Sequence, residues 1–132
     1  MTNEKVATLN LKLKELFIRW LDITRAFHKL TNQQQHVLAL LLYYHFLYKK
    51  ETTNSKILWK IIFDYDTYLK IREDDLFKEK GMSSNVLHNI ITGLRKKKII
   101  VDGKISPMFI PDLTHDCKSF KVTFNFNIVD NG

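Results

Sequence analysis

Between Ser84 and Thr92, five short polar side chains, Ser84, Asn85, His88, Asn89 and Thr92, recur at intervals of three and four residues. On a helix that spacing places them on one face. Hydroxyl, amide and imidazole groups both donate and accept hydrogen bonds, so a row of them suits directed bonding to the edge of a flat partner. Arg95, Lys96, Lys97 and Lys98 follow at once, and Lys104 stands a few residues on. These are cations able to meet phosphate oxygens. Residues 81–105 hold five basic side chains against the single acid Asp102, the most one-sided stretch of the chain. The chemistry this pattern offers is binding, with neutral groups for reading and cations for holding.

Chemistry of other kinds has little to stand on. A lone cysteine, Cys117, excludes an intrachain disulfide and supplies no zinc ligand set. His28, His36, His45, His88 and His115 lack metalloprotease spacing, and there is neither a glycine-rich phosphate loop nor a nucleophile elbow. Asp64 and Asp66 lack matching ligands, and Glu73, Asp74 and Asp75 read as charge at the start of a helix. The expectation is a protein without catalysis, cofactor or metal.

The elements that would position the polar row are legible on either side of it. Over 132 residues, 45% of them hydrophobic, one domain with one core is expected. Leu9, Leu11 and Leu13 alternate with polar residues as in an extended arm, and apolar residues then recur at helical spacing from about Lys14 to Lys29. Thr31 with Gln34 forms a capping-box pattern ahead of the apolar run Val37–Tyr48, which predicts a buried central helix over 31–48. After the polar loop 51–56, Asn54 or Ser55 could cap a helix through Ile62, and residues 63–71 fit either helix or extended chain. A short helix is expected from about Arg72 to Gly81, opening on its acidic residues.

Gly81 then turns the chain, and Ser83 or Ser84 caps a helix over about 83–97 in which Val86, Leu87, Ile90, Ile91 and Leu94 form the apolar stripe. Gly93 lies inside it. The β-branched run Ile99–Val101 leads into Asp102-Gly103, a strong hairpin signal, with Lys104-Ile105 beginning the return. Pro107 and Pro111 bracket an edge strand or irregular segment, and Phe120, Val122, Phe124, Phe126 and Ile128 alternate with polar residues to predict a final strand over 119–129. Phe17, Trp20, Tyr43, Tyr44, Phe46, Trp59, Phe63, Phe124 and Phe126 lie in apolar patterns, so core packing is expected of them rather than base stacking.

In order, a short helix, a glycine turn, a helix with one polar face and a hairpin resemble the winged helix-turn-helix family, over Glu73 to Lys104. In particular, MSSNVLHNIITGLRKKKIIVDGKI is similar to the recognition helix and wing of its regulators and replication initiators. The resemblance implies a mainly α chain with a small β-sheet (α+β): arm and helix over 1–30, core over 31–132, recognition helix at about 83–97 and wing at about 99–110. It implies double-stranded DNA as partner. Ser84, Asn85, His88, Asn89 and Thr92 would then read base edges in the major groove, while Arg95, Lys96, Lys97, Lys98 and Lys104 meet phosphates.

The net charge of +7 fits a polyanionic partner. The expected function is that of a transcriptional regulator or replication-initiator component in a bacterial or phage-infected cytoplasm, without a membrane span or secretory signal. Lysine outnumbers arginine 17 to 4, and this, with frequent Ile and Asn, suggests an AT-rich genome such as that of a phage, plasmid or low-GC bacterium. The apolar helix 31–48 and the N-terminal helix could pair two copies into a homodimer. A rival reading is a structural component of a phage virion or replication complex, in which the same fold holds a protein and joins a larger assembly. The blander readings are a solvated basic helix end favoured by the helix dipole, a polar surface and a purely structural hairpin.

Overall fold

A computed structural model describes residues 8–77, 81–113, 119 and 127–130. The chain is mainly helical, with one small two-stranded antiparallel sheet. Residues 8–12 carry no strand pairing, and α1 (Leu13–Ile23) begins at once. The helix expected to run on to Lys29 breaks at Thr24, whose hydroxyl donates to the Trp20 carbonyl at 2.9 Å. A single turn, α2 (Arg25–His28), follows and ends where Lys29 takes a left-handed φ of 52°.

The centre of the fold is α3 (Asn32–Lys49), opened by the Thr31–Gln34 capping box. Val37 through Leu42 are each no more than 1% exposed, so six consecutive side chains are covered all round the helix. The chain's own elements cover them: α1, α4 (Ser55–Ile62), α5 (Tyr65–Arg72) and α6 (Ser84–Lys96) all pack on α3. Within the helix expected over 31–48, Val37–Leu42 are covered by the chain's own elements, while Tyr43, Tyr44, Leu47 and Tyr48 stay partly exposed.

Asn54 caps α4 and Asp64 caps α5, each side chain accepting from a backbone N–H three residues on. In the ambiguous stretch 63–71, Phe63 and Asp64 form the break between the two helices and residues 65–71 are helical. Of the short helix expected from Arg72 to Gly81, residues 78–80 lie outside the described residues, and residues 72–77 are instead the last residue of α5 and a 3-10 turn over Asp75–Phe77. Asp74 is buried there. It accepts from the Leu76 N–H and pairs with Lys14 at 2.8 Å, which ties this turn to α1. The acid that reads as a helix-dipole charge is a tertiary anchor.

After α6 come β1 (Ile100–Val101) and β2 (Lys104–Ile105), paired Ile100 with Ile105 and Val101 with Lys104. Beyond them Pro107–Phe109 forms a 3-10 turn rather than wing or edge strand, fixed by a 2.8 Å bond from the Trp20 indole to the Phe109 carbonyl. The wing expected over 99–110 is accordingly a tight hairpin of 100–105. Most of the C-terminal strand expected over 119–129 lies outside the described residues. Ser119 and residues 127–130 carry no regular secondary structure.

Candidate nucleic-acid interface

Two devices hold α6 in place. At its start, Arg72 closes the preceding loop: its carbonyl accepts from the Met82 N–H at 2.9 Å and its Nε donates to the Met82 carbonyl at 2.8 Å. Gly81 adopts a φ of +64°, and a β-carbon there would lie 3.0 Å from the Arg72 carbonyl oxygen. Ser83 caps the helix through the Val86 N–H. That leaves Ser84, the first helical residue, free on the surface.

Leu87, Ile90, Ile91 and Leu94 are buried, and Ser84, Asn85, His88, Asn89 and Thr92 are all exposed. The five polar residues of the sequence reading therefore share a solvent-facing side of α6. From Ser84 to Thr92 they span roughly 12 Å along the helix axis. Val86, assigned to the apolar stripe, is 39% exposed at the edge of this face. His88 stands edge-on to the Tyr68 ring of α5, with centroids 6.1 Å apart, so its orientation is shared with another helix. Burial raises the Tyr68 phenol above its ordinary pKa, an effect that the charge of Arg95 opposes.

The C-terminus of α6 is a Schellman motif. The Ile99 N–H bonds to the Leu94 carbonyl, the Lys98 N–H bonds to the Arg95 carbonyl, and Lys98 takes a φ of 60°. This reversal sends the chain directly into the hairpin. Asp102 and Gly103 have φ of 54° and 70°, as the two central residues of a type I′ turn require.

The five expected phosphate-binding cations separate. Lys97 turns back, its ammonium donating to the Lys29 carbonyl at 3.2 Å and to Gln34 Oε1 at 2.8 Å, so it fastens α6 to the start of α3. Arg95, Lys96, Lys98 and Lys104 are exposed. Every ion pair among the described residues uses Lys14, Arg19 or Arg25, so no described acid pairs with the cations around the end of α6 and on the hairpin.

A groove of about 430 Å³ lies between α4 and the hairpin, lined by Lys56, Trp59, Lys60 and Phe63 on one side and by Arg95, Ile100 and the 102–104 turn on the other. Lys56 and Lys60 were not singled out in the sequence. Their signal is a pair of lysines one helical turn apart, which is too common to distinguish from an ordinary solvated face. Trp59 and Phe63, expected in the core, are half-buried on this groove.

The chain matches no family model, no curated protein and no solved structure. No helix among the described residues is long and apolar enough to cross a membrane.

Proposed function

We propose that the chain is a winged helix-turn-helix protein that binds double-stranded DNA, acting as a transcriptional regulator or as part of a replication initiator. In this reading α6 is the recognition helix and β1–β2 the wing. The observation that carries it is the pairing of a neutral, exposed polar face on α6 with exposed cations at its end and on the adjoining hairpin. An α-helix, about 10–12 Å across with its side chains, fits a major groove about 12 Å wide. Asn85 and Asn89 can each pair with adenine in bidentate fashion, whereas Ser84, His88 and Thr92 discriminate less. Arg95, Lys96, Lys98 and Lys104 hold the backbone and set the salt dependence.

Fluorescence anisotropy with a mixed-sequence duplex at two salt concentrations tests this, beside a Lys96→Ala, Lys98→Ala, Lys104→Ala variant. Salt-sensitive binding that the variant loses supports the reading. No binding by the folded protein at low salt overturns it. The second reading, a structural protein of a virion or replication complex, is favoured by the exposed apolar side chains Ile23 and Phe27, on either side of the break at Thr24 and 44% and 68% accessible.

A further inference from the structure

We infer that the groove between α4 and the hairpin is a binding site for an unpaired nucleotide of single-stranded nucleic acid. This goes beyond the duplex reading, which uses the polar face of α6.

Three properties of the groove point to that ligand. First, Lys56, Lys60, Arg95 and Lys104 converge on it from three elements, and none makes an ion pair with a described residue. Asp102 is the one acid on its wall. A site with four such cations takes an anion, and Asp102 leaves one acceptor for an N–H on a base edge. Second, Trp59 and Phe63 lie between those cations. His45, Trp59 and Phe63 form a row of near-parallel rings: His45 to Trp59 is 4.6 Å at 25°, and Trp59 to Phe63 is 6.2 Å at 20°. Of these, Trp59 and Phe63 line the groove and offer it aromatic surface. Third, a volume of about 430 Å³ is that of a small-ligand pocket.

An inorganic anion would use the charge and leave the rings idle, and a peptide acid would match neither the rings nor the number of cations. A duplex offers phosphates, but its bases are paired and stacked on each other. An unpaired nucleotide supplies both halves, a ring for Trp59 and Phe63 and a phosphate for the lysines, the combination by which single strands are held without sequence readout.

The test is anisotropy with a labelled oligothymidylate, an abasic strand of the same length and a mixed-sequence duplex, using the full chain. Wild-type protein is expected to bind the oligothymidylate about tenfold more tightly than the abasic strand, because stacking needs the base. Lys56→Ala/Lys60→Ala should weaken oligothymidylate binding about tenfold and flatten its salt dependence. Phe63→Leu should weaken it about fivefold with the salt dependence unchanged. Duplex affinity should move less than about twofold in either variant, since neither alters the α6 face. Circular dichroism checks folding, and the comparison of the two strands on wild-type protein decides the matter if Phe63→Leu does not fold.

Equal affinity for the abasic and oligothymidylate strands would overturn the proposal, as would equal losses on duplex and single strand, which would make the groove a track for the duplex backbone. Single-strand binding without duplex binding would sustain this site and remove the duplex reading. Duplex binding without single-strand binding would do the reverse.

Discussion

The side-chain amide of Gln34 occupies the space that a β-carbon on residue 93 would need: built on Gly93, that carbon would lie 2.6 Å from Gln34 Nε2. Gln34 is not free to retreat, since its Oε1 accepts from both the Thr31 N–H and the Lys97 ammonium. The glycine within α6 is therefore what lets this helix seat against the start of α3.

Gly93→Ala gains about 1 kcal/mol of helix propensity but displaces an amide that holds two donors. The expected net cost is about 1 kcal/mol in the wild-type background. In a Gln34→Ala background the same substitution should stabilise by about 0.5–1 kcal/mol. Urea denaturation of the four proteins of this cycle measures the coupling, and additive effects would refute the account.

Lys98 occupies the left-handed position of the Schellman motif, where glycine has no steric penalty. Lys98→Gly is expected to raise stability by about 0.5–1 kcal/mol. On the duplex reading it should also weaken DNA binding and lower the salt slope by about one. Thermal melts and salt titrations on one sample separate the two effects, and a variant less stable than wild type would show that the lysine makes an uncounted contact.

Lys96 and Lys97 are neighbours in a basic run yet should fail differently. Lys97→Ala removes the two bonds to the α2–α3 turn and should cost about 0.5–1 kcal/mol of stability. Lys96→Ala should leave the melting temperature unchanged and reduce duplex affinity. Denaturation and anisotropy on both variants check this, and identical behaviour would mean that the Lys97 contacts contribute nothing in solution.

His45 is buried against Trp59, and burial, helped by the nearby charge of Lys49, lowers its pKa to about 4. The unfolded chain holds the proton more tightly, with a pKa of about 6.5, so stability is independent of this group above that pH and falls as pH drops from about 6.5 toward 4. The loss levels off below the folded pKa at about 3 kcal/mol, before solvent screening of an incompletely enclosed ring reduces it. NMR titration of the His45 imidazole should place its midpoint near pH 4. His45→Phe should abolish this component of the acid sensitivity, and a midpoint near 6.5 would remove the argument.

Features governed by neighbours in sequence were legible in advance. Thr31 and Gln34 announce the start of α3, Ser83 that of α6 and Asp102-Gly103 the hairpin, because caps and tight turns are decided within four residues. The apolar stripe and opposed polar face of α6 follow from the helical period alone. The span from Arg72 to Gly81 misled, because its acidic run matches a helix start while Asp74 is recruited by Lys14, sixty residues earlier in the chain.

By itself, then, the sequence determined where α3 and α6 begin, that the polar row of α6 faces outward and that the chain turns sharply at Asp102. Tertiary structure alone decided which of the basic residues are available. Lys97, though exposed, is engaged by Gln34 and the Lys29 carbonyl, while Lys56 and Lys60 are brought across from α4 to face Arg95 and Lys104. The physical reason is one of range. Caps, turns and helical faces arise from backbone and side-chain contacts over a few residues, whereas a lysine's long stem reaches whatever acceptor or groove the packing of distant helices sets beside it.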